Sequence, residues 1–176
     1  METATFGTGC FWCTEAIFQQ LKGVSKVISG YSGGFVDHPS YKQVCEGTTG
    51  HAEVIQIEYD SAVIGFGQLL EAFFASHDPT TLNRQGNDVG TQYRSVVFYH
   101  DQQQQQEAQA YKLQLEQSKA YPNEIVTEIS PFLRFYPAEN YHNDYYSLNG
   151  SQPYCYYVVR PKLEKFKKTF KDHLKN

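Results

Sequence analysis

The chain has 176 residues, a formal net charge of −4 and an unusually high count of 14 tyrosines. This length allows a substantial core, and we expect a single domain over residues 1–176. A mildly acidic chain is not expected to bind nucleic acid, and no apolar run is long enough to span a membrane. Because its first residues lack the basic and apolar regions of a signal peptide, we expect a cytoplasmic protein.

The N-terminal part of the chain predicts alternating strands and helices. Hydrophobic periodicity and turn residues place strands at 3–6, 24–31, 52–60 and 93–99, and helices at 11–21 and 66–77. Polar loops are expected at 35–50 and 78–92. This β-α-β-β-α-β order is typical of the ferredoxin-like α/β sandwich, so we expect an α+β fold with a mixed sheet and helices on one face.

The rest of the chain predicts a helix at 101–119, a strand at 125–129, an irregular segment at 132–152 and a helix from Pro161 onward. In this C-terminal helix the apolar residues recur at helical spacing and are expected to be buried, while the lysines face water. These apolar residues are Leu163, Phe166, Phe170 and Leu174.

The segment Gly9-Cys10-Phe11-Trp12-Cys13 places a thiol between a glycine-rich turn and a helix. The unpaired N–H groups and the positive end of a helix favour a thiolate, so this position predicts an activated Cys10. Phe11 and Trp12 follow immediately. The segment therefore indicates a nucleophile beside an apolar pocket.

The roles of the other cysteines stay open at this point. Cys10 and Cys13 could belong to a zinc site, although no second ligand pair has similar spacing. They could form a thioredoxin-like redox pair, although Phe-Trp is an unusual insert. A nucleophile with a separate resolving thiol suits the start of a helix best. Cys155 follows a flexible 149–151 segment and could swing to a distant sulfur, although a small buried residue is the commoner role. Cys45 has no evident partner.

Glu53 lies at the start of a strand whose odd positions also hold Ile55, Ile57 and Tyr59. Period-two alternation therefore turns Glu53 toward the apolar face. A carboxylate there loses hydration, so its pKa should rise and it could remain protonated near neutral pH, as a general acid requires. The alternative is that Glu53 escapes to solvent at the end of the strand.

The two polar loops carry further candidate residues. Tyr41 lies in the first, and Asp88 and Tyr93 lie among glycines in the second, between residues 83 and 93. Glycine lets a backbone approach a ligand closely, so such a loop could face a substrate. A solvated turn is the more common structure for a stretch of this composition.

Together, these residues resemble the A-type methionine sulfoxide reductases, and the resemblance covers nearly the whole chain in the order of the family. The matching segments are Gly9-Cys10-Phe11-Trp12, Gly30-Tyr31-Ser32-Gly33-Gly34, Pro39-Ser40-Tyr41, Thr49-Gly50-His51-Ala52-Glu53, His77-Asp78-Pro79-Thr80-Thr81, Arg84-Gln85-Gly86-Asn87-Asp88-Val89-Gly90, Tyr93-Arg94-Ser95, Pro137-Ala138-Glu139-Asn140-Tyr141-His142 and the stretch around Cys155. The sequence departs from one common form of the family at Cys13, where that form has glycine.

The resemblance implies an enzyme that reduces methionine-(S)-S-oxide, free or in proteins, to methionine. Cys10 would attack the sulfoxide sulfur and become a sulfenic acid. Cys155 would resolve it first through an intramolecular disulfide, with Cys13 as a second relay, and thioredoxin would reduce the disulfide. The family requires no metal or organic cofactor, and we expect a monomer. The pocket residues that the resemblance implies are Phe11 and Trp12 around the S-methyl group, and Glu53, Tyr41, Tyr93 and Asp88 around the oxygen.

Overall fold

The computed structural model describes residues 1–175, and Asn176, the last residue of the predicted domain, lies outside the described residues. The helices are α1 (Phe11–Phe18), α2 (Tyr41–Cys45), α3 (Phe66–Ala75), α4 (Gln102–Gln117), α5 (Tyr145–Asn149) and α6 (Arg160–Thr169). The strands are β1 (Glu2–Thr8), β2 (Val24–Ser32), β3 (Ala52–Tyr59), β4 (Arg84–Gln85), β5 (Asp88–Val89), β6 (Ser95–Tyr99), β7 (Glu128–Pro131) and β8 (Phe135–Pro137).

Six of the strands form one sheet in the order β7-β6-β1-β3-β2-β8. The pairs β6–β1, β1–β3, β3–β2 and β2–β8 are antiparallel, whereas β6 and β7 are parallel, so the sheet is mixed. The central order β6-β1-β3-β2, with α1 after β1 and α3 after β3, is the split βαβ arrangement. The predicted α+β fold is confirmed.

The two faces of the sheet are covered differently. On one face Phe6 of β1 packs against Phe18 of α1 and against Phe66 and Phe73 of α3, with ring centroids 5.0–5.9 Å apart. Helices α4 and α6 contribute to the same core. The opposite face carries a small cluster that the aromatic side chains of Phe132 and Phe135 cover. The strand alternation therefore places the odd residues of β3 in the larger core.

Several predicted boundaries differ from the structure, and two matter for the site. The predicted loop 35–50 contains α2, because Ser40 and Gln43 form a capping box. Tyr93 was expected to begin a strand but ends a 3₁₀ turn, Thr91–Tyr93, before β6 begins at Ser95. The strand expected at 125–129 begins at Glu128, because Val126 donates its N–H to Pro79 O instead of joining the ladder.

The C-terminal part contains more structure than its composition indicates. The predicted irregular segment 132–152 includes β8, a 3₁₀ turn at Asn140–His142 and α5. A turn of π-helix, Cys155–Val159, leads into α6. The expected burial of the apolar residues is confirmed at Leu163 and Phe166 of α6 and at Phe170 just after it, whereas Leu174, beyond the end of the helix, is only partly buried. Within residues 1–175, none of the helices combines the length and apolar character needed to cross a membrane.

Candidate active site

Cys10 lies between the end of β1 and the start of α1. Its backbone is extended (φ −63°, ψ 124°), so it is the N-cap residue of α1 and not part of the helix. Gly9 before it has φ +112°, and a Cβ at Gly9 would lie 2.8 Å from Cβ of Gln85. Glycine is required there because the backbone is left-handed and the β4 loop packs closely against the turn.

Glu53 enters this region from the start of β3. Its side chain is 1% exposed, so the predicted inward orientation is confirmed and the escape to solvent is wrong. Oε1 accepts a hydrogen bond from the N–H of Phe11 at 3.2 Å, whereas Oε2 is buried without a partner. Burial raises the pKa of Glu53 to about 8, although the Phe11 amide opposes the shift. The carboxyl group is therefore mostly protonated at neutral pH.

Three features of this structure oppose the expected activation of Cys10 by the start of the helix. The Cys10 side chain makes no N-cap hydrogen bond, and the first amide of α1 donates to Glu53 instead. Burial, the hydrogen bond with Cys13 and the charge of Glu53 raise the pKa of the Cys10 thiol well above its usual value. Desolvation thus opposes the effect of the helix terminus, and the activation of Cys10 stays a prediction.

Tyr41 and Tyr93 both approach Glu53, from α2 and from the 3₁₀ turn before β6. Desolvation, and after it the charge of Glu53, raises the pKa of each phenol, so both hydroxyls are proton donors. The backbone N–H of Tyr41 donates to Oε2 of Glu139 at 3.0 Å, and the Tyr31 hydroxyl donates to Oε1 of the same carboxylate at 3.0 Å. Glu139 thereby ties α2 to β2.

Asp88 lies in the short β4–β5 hairpin and forms a polar pair with the C-terminal segment. The Tyr154 hydroxyl donates to Oδ2 of Asp88 at 2.7 Å. Desolvation raises the pKa of Tyr154, and Cys10 and Cys13 add to the shift, so this phenol lies close to both thiols. The structure therefore brings Asp88 to the same site as Cys10.

Aromatic side chains hold the indole ring of Trp12 in place. The Tyr145 ring stacks on it with centroids 3.9 Å apart and an interplanar angle of 6°. Trp12 Nε1 donates to Nδ1 of His142 at 3.0 Å, which fixes the neutral tautomer of that histidine with its proton on Nε2. Phe11 is fully buried beside Tyr31, 5.7 Å between centroids. Phe11 and Trp12 thus form a fixed apolar wall next to Cys10.

The sequence model of the family described as peptide methionine sulfoxide reductase matches residues 2–174. The chain belongs to this family. The peptide methionine sulfoxide reductase MsrA of Saccharolobus solfataricus is 53% identical over 175 residues, covering 99% of this chain and 98% of the relative.

Solved structures agree with this assignment. The reduced form of Mxr1 from Saccharomyces cerevisiae superposes with a TM-score of 0.81 and 37% identity over 88% of each chain. The same yeast protein in complex with Trx2 gives a TM-score of 0.58 and 28% identity, over 78% of this chain and 81% of that one. This chain is therefore an oxidoreductase that reduces methionine sulfoxide.

The four cysteines of this reductase are free thiols, and their neighbours in the fold differ from those that the sequence indicates. Cys10 and Cys13 each affect the pKa of the other thiol, so the two lie close together. Cys155 is fully buried at the start of the π-helical turn, and burial, followed by the nearby Cys13, raises the pKa of its thiol. Cys45, which had no evident partner, lies at the exposed end of α2 near Tyr41, whose pKa it helps to raise after desolvation and Glu53. Among residues 1–175, no group of three or more His, Cys, Asp or Glu side chains is arranged to hold a metal ion.

Four further residues of the candidate site had no role predicted from the sequence: Glu139, His142, Tyr145 and Tyr154. Three of them, Glu139, His142 and Tyr145, lie in the segment expected to be irregular. A signal was present, since residues 140–146 combine tyrosine, histidine and asparagine outside any predicted strand. Such residues carry hydrogen-bonding groups on rigid rings, which suits the wall of a ligand pocket.

Proposed function

We propose that this reductase acts on the S epimer of methionine sulfoxide, free or in proteins, with Cys10 as the nucleophile and Glu53 as the acid. The observation that carries the proposal is the buried Oε2 of Glu53, which has no partner and belongs to a carboxyl group with a raised pKa. A buried donor without a partner favours a ligand that brings an acceptor. The sulfoxide oxygen is such an acceptor. Residues 1–176 act as one cytoplasmic reductase domain in this proposal.

Substrate orientation follows from the two sides of the site. The S-methyl group packs against Phe11 and Trp12, and the oxygen points toward Glu53 and the hydroxyls of Tyr41 and Tyr93. In one epimer these two contacts are satisfied together, whereas the other epimer exchanges methyl and oxygen. In that second epimer the apolar wall faces the sulfoxide oxygen, and the hydrogen bonds of this oxygen are lost. Asp88 and Tyr154 form the polar rim of the same pocket.

The chemical step balances without any external reagent. Glu53 donates a proton to the sulfoxide oxygen, which makes the sulfur electrophilic. The Cys10 sulfur attacks it, the oxygen passes to Cys10, and methionine leaves as a thioether. The proton lost from the Cys10 thiol restores Glu53. Cys10 sulfur loses two electrons and methionine sulfur gains two, so thiol and sulfoxide become sulfenic acid and thioether.

Recovery requires a second thiol, and two are available. Condensation of the Cys10 sulfenic acid with a thiol forms a disulfide and releases water. The sequence-based preference for Cys155 as first resolver stays a prediction, but the contact between Cys10 and Cys13 favours Cys13. Cys10 is extended, but its carbonyl accepts a hydrogen bond from the N–H of Cys13 at 3.1 Å, so the two thiols project from the two ends of the first turn of α1. Cys155 beside Cys13 would then receive the disulfide second.

Reduction of that disulfide by thioredoxin completes the cycle in our proposal. Support comes from the yeast relative, which has been solved in complex with Trx2. A dithiol protein would attack the last disulfide of the series and return all thiols to the reduced form.

Separated epimers of a methionine sulfoxide peptide test the reductase proposal. With dithiothreitol as reductant, the wild type should reduce the S epimer and Cys10→Ser should be inactive. Cys45→Ser, which changes an exposed thiol and keeps a hydroxyl for Tyr41, should retain activity. Reduction of the R epimer at a similar rate, or activity in Cys10→Ser, would overturn the proposal.

The order of the thiols is tested by mass mapping after one turnover without reductant. If Cys13 resolves first, Cys155→Ser should accumulate the Cys10–Cys13 disulfide, and Cys13→Ser should accumulate a sulfenic acid that dimedone labels. If Cys155 resolves first, Cys13→Ser should form the Cys10–Cys155 disulfide at the wild-type rate. The two variants therefore give opposite patterns for the two orders.

A further inference from the structure

Glu15 is a buried acidic residue that the proposed chemistry does not use. It lies on α1, three residues after Trp12, and its side chain shares a helical face with that residue. The residue is 2% exposed. A carboxyl group so far from solvent needs hydrogen-bond donors around it, and the donors that it has point to a role.

The donors come from two separate elements. Ser29 of β2 donates its hydroxyl to Oε2 of Glu15 at 3.3 Å. The backbone N–H groups of Asp144 and Tyr145 lie near the carboxyl group and oppose the rise of its pKa. These two amides begin α5, whose N-cap residue Asp144 has a left-handed backbone (φ 54°) and makes no capping bond with its own side chain. The carboxyl group of Glu15 therefore faces the uncapped start of α5.

The same two residues of α5 lead directly to the wall of the pocket. The Tyr145 ring stacks on Trp12, whose indole N–H donates to His142 just before Asp144. From Trp12 the contacts run along α1 to Glu15, through the backbone of Tyr145, and back through its ring to Trp12. These contacts form a closed loop, so a shift of the start of α5 would also displace the Trp12 indole.

We propose that Glu15 is a positioning residue that holds Tyr145, and through it the Trp12 indole, in the conformation that receives the S-methyl group of the substrate. This inference rests on the proposed role of Trp12, but its physical content, the fixed indole, does not depend on catalysis. Glu15 touches neither the substrate nor Cys10. It acts by fixing the backbone from which the stacking ring projects.

The single tryptophan of the chain makes the proposal testable by fluorescence. Glu15→Leu keeps the size of the side chain and removes its acceptors. We expect acrylamide to quench Trp12 several-fold more efficiently in this variant. We also expect kcat/KM for the S sulfoxide to fall about tenfold, with a larger effect on KM than on kcat, because the wall binds the methyl group.

The matched control is Gln19→Ala on the same helix. It removes the exposed hydrogen bond from Nε2 of Gln19 to Oδ1 of Asp144, 2.8 Å long, and leaves the carboxyl group of Glu15 in place. Quenching and kinetics should stay at the wild-type values. If Glu15→Leu does not fold, Glu15→Asp carries the test, since it keeps the charge but is one methylene shorter. We expect it to increase quenching as well.

Two outcomes would overturn the proposal. One is a folded Glu15→Leu or Glu15→Asp protein in which Trp12 quenching is unchanged. The other is an equal effect from Gln19→Ala, which would mean that any contact to Asp144 suffices. If the wild type itself fails to reduce the S sulfoxide, the proposed function is wrong, whereas the quenching result still decides the role of Glu15.

Discussion

Glu53 and Cys10 are both placed to accept a hydrogen bond from the first backbone amide of α1, that of Phe11, and Glu53 accepts it. Because the N–H of Phe11 donates to Oε1, it cannot stabilise a Cys10 thiolate. Burial raises the pKa of both groups, so the resting site holds two neutral acids side by side. A neutral carboxylic acid can donate to the sulfoxide, whereas a carboxylate cannot. In the proposed reaction this resting state would activate the substrate rather than the thiol.

Replacement of Glu53 by a residue that cannot act as an acid should slow the chemical step strongly. General acids contribute about 10²-fold or more to such steps, so Glu53→Gln should lower the single-turnover rate by at least about that factor. Gln keeps the volume of the side chain, and the fold should be retained. Rapid mixing with the S sulfoxide and detection of the sulfenic acid measures the rate. An unchanged rate would remove Glu53 from the mechanism.

The same variant should have the opposite effect on the thiol. Above pH 8, where Glu53 is ionised in the wild type, its negative charge helps to raise the pKa of Cys10. Glu53→Gln removes that charge, so Cys10 should react several-fold faster with iodoacetamide at pH 9. Mass mapping of the Cys10 peptide separates it from exposed Cys45, which serves as the internal control. Slower alkylation of Cys10 would contradict the electrostatic account.

At the scale of elements, the five-residue helix α2 delivers Tyr41 to the site. It begins because Ser40 Oγ accepts from the N–H of Gln43 at 3.2 Å and Gln43 Oε1 accepts from the N–H of Ser40 at 2.9 Å. A helix this short has little stability of its own, so its cap and the bond from Tyr41 to Glu139 fix its position.

Ser40→Ala should therefore lower both stability and activity. Loss of an N-cap side chain costs about 1 kcal/mol in the free energy of unfolding. Since Tyr41 is the next residue, kcat/KM for the sulfoxide should fall as well. Urea denaturation and steady-state kinetics measure the two effects. Lys42→Ala, an exposed change in the same helix, is the control, and equal behaviour of the two variants would show that the cap does not place Tyr41.

Some elements could be predicted from local pattern, and others depend on contacts that no local pattern contains. The alternation of β3 predicts the inward orientation of Glu53, which the structure has, although the pattern left an escape to solvent open. The start of α2 also depends on a local feature, the capping box of Ser40 and Gln43. By contrast, β8 and α5 have little periodicity, and β8 forms because Gly30, Tyr31 and Ser32 offer an open strand edge to pair with. Tertiary contact overrides weak local preference in such segments.

The reactivity of Cys10 shows the same limit at the level of the site. Its place at the start of a helix could be predicted, because glycine precedes it and a helical pattern follows. Its pKa could not, since the sign depends on how much protein surrounds the sulfur and on which group takes the Phe11 amide. Both are properties of the packed molecule.

Over the whole molecule, segments that are far apart in sequence assemble the site. Cys10 follows β1, Glu53 begins β3, Asp88 lies in the β4–β5 hairpin, and Tyr154 comes from the C-terminal segment that leads into α6. The sheet brings β1 and β3 together in antiparallel register. Because these contacts form only in the folded chain, burial of the acidic groups is linked to the global folding equilibrium.

This linkage predicts how stability depends on pH. Unfolded Glu53 has a pKa of about 4.3, and the folded value is about 8, so between these values the folded state binds more protons. The free energy of unfolding should then fall as pH rises, by ~1.4 kcal/mol per pH unit for one proton. Glu15, whose pKa burial raises to about 7, acts in the same direction, while His77, whose pKa burial lowers to about 4, opposes it at acid pH.

The contribution of Glu53 is isolated by comparing wild type with Glu53→Gln, in which the other groups are common to both. Urea denaturation at a series of pH values from 5 to 9 should show a shallower decline for the variant. Its stability relative to wild type should increase up to about pH 8 and then level off. Glu58→Gln, at an exposed position of the same strand, is the control and should follow the wild-type curve. Parallel curves for wild type and Glu53→Gln would mean that Glu53 is already ionised in the folded protein at neutral pH, and the proton that the proposed reaction needs would then have to come from a tyrosine hydroxyl.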